Sequence, residues 1–442
     1  MTTTRKEQSI WQAGWSPASY WLDGLGPAPR TGGDLPKEAD VIIVGSGYTG
    51  LNAALECARA GRSTLVLDAG DPGQGCSTRN GGQISTSVKP SLEKLTAKYG
   101  PERARAIRKE GETALQWIEI RIAENAIACE FRRVGRFHAA HTPQAYEDLA
   151  RDAERLMRVE GIAAHPVARA DQRAELGSDL YHGGVVFPNH AAVDPARYHR
   201  GLLSCTLGAG AMVRGQCAVS AITRRPTGFE VETQRGMVRA GQVIVATNGY
   251  TTGVTPWLHR RVIPIGSYII ATQALPQDLM DQLSPKDRIA SDTRKVVYYY
   301  RPSPDRTRIL FGGRVSANET NPEISGPRLY EDMCRIYPEL RAYRISHSWM
   351  GMVAYTFDEL AHTGTHDGVH FAMGYCGSGV SMASYLGMRI GQKVLGLKAG
   401  KTAFDDLPFP TRPLYSGNPW FLPPMVAYYR WRDRKQYERA AG

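Results

Sequence analysis

The chain has 442 residues, enough for two or three domains with sizeable cores, and its 42% hydrophobic and 22% charged residues are typical of a globular protein. No apolar run approaches the ~20 residues of a membrane-spanning helix, and no apolar stretch follows the basic residues of the N-terminus, so we expect a cytoplasmic protein without a secretion signal. The net charge of +11 is dispersed along the chain, which disfavours a nucleic-acid interface and suits small anionic ligands.

The seven cysteines form no recognisable metal-binding or disulfide pattern. Their number is odd, they are scattered, and neither a Cys-x-x-Cys motif nor a cysteine and histidine cluster with zinc-ligand spacing occurs. We therefore expect reduced thiols and no metal site.

The first 36 residues are predicted to form an extended arm. Trp11, Trp15, Tyr20 and Trp21 precede a stretch rich in glycine and proline. Proline removes backbone donors and glycine weakens helical order, so a long helix is disfavoured. Four aromatic side chains in so short a span predict that the arm docks on the folded body.

A predicted strand, a glycine-rich turn and a predicted helix follow the arm. Residues 40–44 (DVIIV) form an apolar run typical of a strand buried on both faces of a parallel sheet. Gly45, Gly47 and Gly50 then match G-x-G-x-x-G, and apolar residues recur at helical spacing up to Gly61. In this context the motif predicts a dinucleotide site. The first glycine permits a tight turn, the second admits a pyrophosphate, and the third allows close packing of helix on strand.

A second predicted strand and its terminal acid extend this site. Residues 63–67 (STLVL) form the strand, and Asp68 ends it near the ~20-residue interval expected for a carboxylate that binds ribose hydroxyls. Such an acid repels the 2′-phosphate of NADP. The glycines and small hydroxyl residues of 70–83 predict a concave array of backbone N–H donors for the rest of a long dinucleotide. These residues alone do not distinguish an NAD site from an FAD site.

The rest of the chain alternates helical and strand patterns without a fixed-period repeat. Helices are predicted over 194–207 and 380–395, the latter directly after a second glycine-rich turn. Strands are predicted over 213–222, 228–233, 242–246, 266–272, 296–301, 308–311 and 371–373.

Four segments together resemble a known family: DVIIVGSGYTGLNAALECARAG, GCSTRNGGQ, VIVATNGYT and GYCGSGVSMASYLG. The chain resembles the glycine/D-amino acid oxidase (DAO) superfamily of FAD-dependent oxidoreductases and, within it, the γ-glutamylputrescine oxidoreductase branch. The resemblance implies an α/β (α+β) fold with a Rossmann-like FAD-binding domain and a substrate domain built on an antiparallel sheet. The expected division is an aromatic arm (1–36), a discontinuous FAD-binding domain (37–90, 180–255 and 345–400), a substrate domain (91–179 and 256–344) and a C-terminal tail (401–442).

The resemblance also implies FAD in an extended pose. The residues that it implies are Gly45, Gly47, Tyr48, Thr49 and Gly50 at the pyrophosphate; Asp68 and Ala69 at the adenosine ribose; Ser77, Arg79, Asn80, Gly81, Gly82 and Gln83 along the pyrophosphate, ribityl chain and ring; Val219 at the adenine; Asn248 and Gly249 over the dinucleotide; and Gly374, Gly377, Ser378, Gly379 and Val380 at the flavin. The last group has a physical reason. Reduction places negative charge on the N1–C2=O edge of a flavin, and a helix N-terminus aimed there stabilises it.

The implied reaction is the oxidation of a carbon–nitrogen bond in a small amine, by hydride transfer to flavin N5 and hydrolysis of the imine. Aromatic walls suit this task because they are rigid and attract cations. Strand alternation puts Tyr300 and Tyr299 on opposite faces. We expect Tyr268, Tyr300 and Trp349 to form the substrate site. Arg314 is equally a candidate partner for a distal carboxylate and an ordinary surface arginine.

Three departures from relatives bear on the substrate and the electron acceptor. Where relatives resemble W-x-G-x-R-P, with the arginine clamping an α-carboxylate, this chain has Val353, and valine cannot pair with a carboxylate. Residues 353–356 offer no thiol, so we expect no covalent flavin bond there. The strand near 308–312 lacks the oxygen-activating lysine of some relatives, which leaves oxygen and an unidentified acceptor both open.

The expected substrate is therefore a γ-glutamylputrescine-like compound or another ω-amine, within polyamine catabolism. The alternatives are a secondary-amine or amino-acid oxidase or dehydrogenase of sarcosine, opine or D-amino-acid type, and an RNA-acting flavoprotein supported only by the net charge. A non-catalytic binding module would leave the flavin site empty.

Overall fold

The protein is described here in a computed structural model, which covers residues 9–314 and 320–441. The first eight residues of the predicted arm, residues 315–319 of the predicted substrate domain and Gly442 of the tail lie outside the described residues. No helix in the described ranges is both long enough and apolar enough to cross a membrane.

Strands and helices are numbered separately in chain order. The strands are β1 (Trp11–Ser16), β2 (Glu38–Val44), β3 (Thr64–Leu67), β4 (Gln83–Ile84), β5 (Arg136–Ala139), β6 (His165–Val167), β7 (Gly184–Phe187), β8 (Ala191–Ala192), β9 (Met212–Arg214), β10 (Val219–Arg224), β11 (Phe229–Thr233), β12 (Gly236–Val245), β13 (Ile263–Thr272), β14 (Ile289–Asp292), β15 (Tyr299–Pro302), β16 (Ile309–Gly313), β17 (Ile345–Tyr355), β18 (His362–His366) and β19 (Val369–Met373). The α-helices are α1 (Tyr48–Arg59), α2 (Leu92–Tyr99), α3 (Pro101–Glu124), α4 (Pro143–Arg155), α5 (Pro195–Gly208), α6 (Pro256–His259), α7 (Gln277–Leu283), α8 (Pro322–Ile336), α9 (Gly379–Val394) and α10 (Leu422–Ala441).

One sheet carries the predicted dinucleotide fold. Its strands run in the order β10-β11-β12-β2-β3-β9. Strands β12, β2, β3 and β9 are parallel to one another, β10, β11 and β12 pair antiparallel, and β19 adds in parallel to the end of β12. Ile42 and Ile43 are both fully buried although they face opposite sides of β2, as expected for a parallel sheet covered on both faces. The carboxyl ends of β2, β3, β12 and β19 therefore meet at one edge.

Helices α1 and α9 pack against each other through glycines. A Cβ atom added at Gly387 would lie 2.4 Å from the carbonyl oxygen of Thr49, and one at Gly391 would lie 2.9 Å from that of Ala53. Because both contacts advance in the same direction, the two helices are parallel. Gly387 is eight residues from the start of α9 at Gly379, and Thr49 is one residue from the start of α1, so α9 extends about 10 Å beyond the N-terminus of α1.

The second sheet has the order β1-β17-β13-β16-β15-β14-β5-β7-β6 and is mainly antiparallel. Its longest pairing, β13 with β17, aligns Ile265 with Val353 and Ile269 with Trp349. Side chains alternate between the faces of this sheet. One face is covered by α8 and carries a core of its own, and the other packs on Trp21 of the arm and Ala196 of α5.

Most predicted elements are confirmed, with shifted ends. The helix after the glycine turn is α1, and Gly61 follows it in the left-handed region at φ +75°. Asp194 caps α5 by accepting hydrogen bonds from the amides of Ala196 and Arg197. The single strand predicted over 213–222 is wrong. It is two strands, β9 and β10, because the chain leaves the parallel sheet after Arg214 and re-enters it in an antiparallel hairpin at Val219.

The aromatic arm docks on the body, as predicted. Strand β1 pairs in parallel with β17, Trp11 stacks on Trp15 with ring centroids 4.2 Å apart, and Trp21 is buried. The indole of Trp21 donates a 2.8 Å hydrogen bond to the carbonyl of Asn80. The arm thus supports the glycine-rich stretch that follows β3.

Candidate functional site

The turn between β2 and α1 accepts glycine alone at its first and third motif positions. Gly45 has φ +103°, a conformation that L side chains rarely adopt, and a Cβ atom on Gly50 would lie 1.8 Å from the carbonyl oxygen of Gly45. Gly47 caps α1, so the N-terminus of that helix opens at the turn with its positive dipole end. The hydroxyl of Ser77 lies at this helix N-terminus, where it accepts a 3.1 Å hydrogen bond from the Tyr48 amide. This geometry suits a pyrophosphate.

Asp68 stands at the carboxyl end of β3, beside the turn. One carboxylate oxygen accepts hydrogen bonds from the amide of Ser46 at 2.8 Å and from its hydroxyl at 2.5 Å, and the other accepts from the amide of Gly70 at 3.0 Å. A carboxylate has about four acceptor positions. Asp68 therefore fixes the glycine turn and retains acceptor capacity for a ribose hydroxyl. Ala69, the next residue, is exposed.

Hydrogen bonds hold the predicted cofactor loop, residues 76–83, in a defined path. The Asn80 side chain donates to the carbonyls of Cys76 and Ser77 at 3.1 Å and accepts from the Gly82 amide at 2.9 Å. The buried Arg301 guanidinium donates to the Gly82 carbonyl at 2.9 Å. This network orients the backbone without using bulky side chains, as a ligand-binding loop requires.

The second glycine turn joins the first. The hydroxyl of Thr49, in the first turn of α1, lies 2.6 Å from that of Tyr375, and the Asn248 side chain accepts a 2.9 Å hydrogen bond from the Gly374 amide. Ser378 is the N-cap of α9, but its hydroxyl donates to the carbonyl of Ser87 at 3.0 Å instead of capping the helix. The N-terminus of α9 thus opens onto the same cleft as that of α1, about 10 Å further along.

The remaining predicted cofactor residues lie at or near this cleft. Gly249 follows β12 and approaches the Met352 carbonyl so closely that a Cβ atom would lie 3.0 Å from it. The Gln83 side chain donates to the Tyr300 carbonyl at 3.1 Å. Val219 begins β10 and is half-buried, and Val380 is buried in the first turn of α9. Their contacts with a cofactor remain predictions.

One row of residues across four strands forms a wall of the cleft. Tyr299 pairs with Gly312, Gly312 with Ile269, and Ile269 with Trp349, so all four share one face of the second sheet. The Trp349 indole donates a 2.9 Å hydrogen bond to the carbonyl of Arg79.

The Tyr299 ring packs directly on the loop. A Cβ atom added at Gly81 would lie 2.9 Å from that ring, and the Tyr299 hydroxyl is 2.7 Å from that of Ser267. Further along β13 and β17 the same face presents Ile265, Val353 and Tyr355. Sequence reasoning had not placed Tyr299 in this wall.

The structure places Tyr268 and Tyr300 on the opposite face from Trp349. Both are fully buried in the core beneath α8. The Tyr300 hydroxyl donates to that of Tyr181 at 3.1 Å, and the Tyr268 hydroxyl accepts from the amide of Thr320 at 2.8 Å. This placement favours a packing role for the two tyrosines. The Arg314 guanidinium donates to the Gly266 carbonyl at 3.1 Å and is therefore already engaged.

A lysine that sequence reasoning overlooked also lines the cleft. The Lys89 ammonium lies 5.5 Å from the ring centroid of Tyr355. Desolvation lowers the pKa of Lys89, but the Tyr355 phenol, together with Cys376 and Glu359, outweighs it, so the pKa is raised. The Tyr355 hydroxyl in turn lies 3.6 Å from where a Cβ atom on Gly377 would be. A permanent cation therefore stands beside the N-terminus of α9, although no motif marks its position in the sequence.

Two cysteines adjoin the cleft, and burial favours the thiol form of both. Burial raises the pKa of Cys76 to about 11 and that of Cys376 to about 11. The Cys376 thiol donates to the carbonyl of Gly374 at 3.2 Å. At neutral pH both are thiols, and the thiolate is the reactive form. Cys376 therefore acts as a small packing residue within its turn.

The comparisons with known proteins agree with this geometry. The profile of the DAO family, described as FAD dependent oxidoreductase, matches residues 40–393. The chain belongs to the DAO family. It is 31% identical to the γ-glutamylputrescine oxidoreductase of Escherichia coli (strain K12), over 89% of this chain and 93% of that protein. It is 30% identical to the probable oxidoreductase OrdL of Rhizobium meliloti (strain 1021), over 91% of this chain and 94% of that protein.

The fold is that of solved DAO-like enzymes. Glycine oxidase from Geobacillus kaustophilus superposes with a TM-score of 0.71 at 19% identity, covering 86% of this chain and 99% of that one. This DAO-family protein is thus an FAD-dependent oxidoreductase acting on carbon–nitrogen bonds of amine-type substrates. The residues present fit the cofactor, because two helix N-termini, two glycine turns and Asp68 meet in one cleft. The described residues contain no cluster of metal-ligand side chains.

Conservative replacements of Tyr299 and Tyr300 should distinguish a residue of the cleft wall from a residue of the core. Tyr299→Phe removes the hydroxyl that bonds Ser267, so we expect kcat/KM for the amine to fall about 10-fold, near the ~1.4 kcal/mol of one lost hydrogen bond. Tyr300→Phe is the matched control. It removes the bond to Tyr181 and should cost about 1 kcal/mol of stability while kcat/KM stays within about two-fold. Steady-state kinetics and thermal unfolding of both variants measure the two effects. If Tyr300→Phe lowered kcat/KM and Tyr299→Phe lowered only stability, the substrate wall would be the opposite face of the sheet.

Proposed function

We propose that this DAO-family protein oxidises the terminal amine of a mono-substituted polyamine of the γ-glutamylputrescine type, or another ω-amine, to an aldehyde in polyamine catabolism. The observation that carries the proposal is the uncharged wall of β13 and β17 beside the cofactor loop. Ile265, Ser267, Gly351, Val353 and Tyr355 face the cleft there. Neither strand carries an arginine to clamp the α-carboxylate of a simple amino acid, and the neighbouring guanidinium groups of Arg79 and Arg314 hydrogen-bond the carbonyls of Met350 and Gly266. The similarity to the E. coli enzyme supports the same substrate class.

The chain's own residues would bind and orient the amine. FAD, when bound, takes up the hydrogen and electron pair from the carbon next to the amine nitrogen, and water hydrolyses the resulting imine to an aldehyde and ammonia. Ile265 and Val353 exclude bulk water from the reacting carbon, which favours the neutral amine that this chemistry needs. We propose that the Tyr299 hydroxyl, which lies 2.7 Å from that of Ser267, hydrogen-bonds the amine nitrogen. The positive end of α9 and the Lys89 ammonium favour negative charge at the far end of the cleft.

The proposal includes non-covalent FAD, a cytoplasmic location and re-oxidation by oxygen or another acceptor. The high pKa values of the Cys76 and Cys376 thiols support non-covalent binding, since a covalent link would need a reactive thiolate or another nucleophile. All seven cysteines are free, which agrees with a reducing compartment. Precipitation with acid should release yellow FAD into the supernatant.

Anaerobic reduction of the purified yellow protein tests the substrate class. We expect the flavin absorbance to bleach rapidly with γ-glutamylputrescine or a related ω-amine, because the uncharged wall admits an alkyl chain. Glycine, sarcosine and D-alanine are the controls and should bleach it at least about 100-fold more slowly, as expected for a missing charge-assisted pair of about 3 kcal/mol. Fast reduction by D-alanine alone would overturn the proposed substrate.

A further inference from the structure

The C-terminal segment builds a second cavity at the outer end of the cleft wall. Four aromatic residues, Phe357, Tyr415, Trp420 and Phe421, line a cavity of about 270 Å³ together with Arg412. Their rings contact one another edge-on or tilted: the centroids of Phe357 and Tyr415 are 5.2 Å apart, and those of Trp420 and Phe421 are 5.8 Å apart. Tyr415 is anchored by its hydroxyl, which donates to the Val262 carbonyl at 2.5 Å.

This cavity adjoins the substrate wall. Ile265 and Tyr355, which face the cleft, pack in the same apolar cluster as Phe357, Tyr415 and Phe421. Phe357 is four residues beyond Val353, which corresponds to at most about 13 Å along an extended chain. A ligand of similar length could therefore place one end at the flavin and the other end among the aromatic rings.

Arg412 is the charged group of this cavity. Its guanidinium lies 5.5 Å from the ring centroid of Phe357, and within the described ranges it forms no salt bridge with a carboxylate. An arginine stacked on an aromatic ring is already oriented and can bind a carboxylate through two parallel hydrogen bonds. The surrounding aromatic faces attract an ammonium group. The guanidinium and the aromatic faces together are complementary to an α-amino-acid zwitterion, whose carboxylate and ammonium groups are attached to the same carbon.

We propose that this cavity is a distal subsite for the α-amino-acid end of an elongated amine substrate. Arg412 binds the carboxylate and the aromatic faces hold the ammonium, while the other end of the substrate reaches the flavin. The proposal rests on the proposed function and specifies its substrate class. In a γ-glutamyl-substituted diamine about eight bonds separate the reacting carbon from the zwitterionic carbon. Fully extended they span about 10 Å at the ~1.2 Å per bond of an extended chain, comparable with the separation of Val353 from Phe357, which is at most about 13 Å.

Tryptophan fluorescence measures this binding without turnover, because half-exposed Trp420 lines the cavity. The probe is γ-glutamylbutylamide, which carries the zwitterion but has no oxidisable terminal amine. We expect saturable quenching of the holoenzyme, lost in Trp420→Phe, and a Kd at least about 10-fold higher in Arg412→Met. Arg412→Lys keeps the positive charge without the planar guanidinium, so its Kd should lie between those of the parent protein and Arg412→Met. Arg260→Met, an exposed arginine of the neighbouring loop, is the control and should leave the Kd unchanged.

The outcome for the subsite is separable from that for the reaction. An unchanged Kd in folded Arg412→Met, or equal binding of N-acetylbutylamine, which lacks the zwitterion, would overturn the subsite even if ω-amines bleach the flavin. Quenching that depends on Arg412 in a protein that no amine reduces would retain the subsite and overturn the proposed function. With turnover, Arg412→Met should raise KM for γ-glutamylputrescine and leave KM for N-acetylputrescine unchanged.

Discussion

Gly50→Ala should yield a protein that purifies without yellow colour and unfolds at a lower temperature. The new methyl group would lie 1.8 Å from the Gly45 carbonyl oxygen, and backbone cannot give way as a flexible side chain can. Helix α1 must therefore move off β2, which opens the pyrophosphate turn and overpacks a fully buried junction. We expect a loss of about 3 kcal/mol of stability, at the upper end of overpacking effects. Flavin absorbance per mole of protein and thermal unfolding measure the two effects.

Gly208→Ala provides the matched control for that variant. Gly208 is also a helical glycine, at the end of α5, but a Cβ atom there would meet nothing within 4 Å. Alanine is the better helix former by up to about 1 kcal/mol, so this variant should stay yellow and be at least as stable as the parent protein. Normal FAD content in Gly50→Ala would show that the turn does not hold the cofactor.

Asp68→Ala should weaken FAD binding about 100-fold, which corresponds to about 3 kcal/mol. The substitution removes the acceptor of three hydrogen bonds, from the Ser46 amide, the Ser46 hydroxyl and the Gly70 amide. The glycine turn then loses its anchor, and the ribose loses its carboxylate partner. Asp68→Asn keeps one acceptor oxygen, so its FAD affinity should lie between those of the parent protein and Asp68→Ala, weakened about 10-fold. Titration of the apoprotein with FAD, followed by flavin fluorescence, gives the dissociation constants.

Asp71→Ala distinguishes this local effect from a general loss of negative charge. Asp71 lies three residues further along the same loop, is exposed, and accepts a hydrogen bond from the Gln216 side chain at 3.1 Å. Its loss should leave the FAD affinity within about two-fold, because a surface contact contributes little. Equal losses in the two variants would mean that Asp68 acts only through the overall charge.

The cofactor half of the cleft was predictable from sequence because its determinants are local. Gly45, Gly50 and Asp68 follow from one strand, one turn and one helix, and the turn before α9 follows the same logic. Each motif fixes backbone geometry within about ten residues of itself, so no knowledge of distant contacts is needed. That the two turns lie in one cleft followed only from the family resemblance, and the structure shows it directly through the bond between Thr49 and Tyr375.

The substrate half was less predictable because strand register decides which face a side chain occupies. Adjacent residues in a strand point to opposite sides of the sheet. A register shift of one residue would therefore move a side chain from the cleft wall to the core. The alternation of Tyr299 and Tyr300 was evident from the sequence, but the face that meets the cofactor depends on the pairing of Tyr299 through Gly312 and Ile269 to Trp349. Lys89 and Arg412 approach the cleft from distant segments, and no local pattern marks them.

A crystal structure of the FAD-loaded protein tests most directly whether the N-termini of α1 and α9 hold one cofactor between them. We predict that the pyrophosphate contacts the Gly45–Gly50 turn, and that the pyrimidine edge of the flavin faces the amides at the start of α9. The ring should lie against the face of β13 and β17 that carries Val353, beyond the point where Tyr299 packs on the cofactor loop. A flavin ring bound away from Gly377, or a pyrophosphate held by any other segment, would contradict this account.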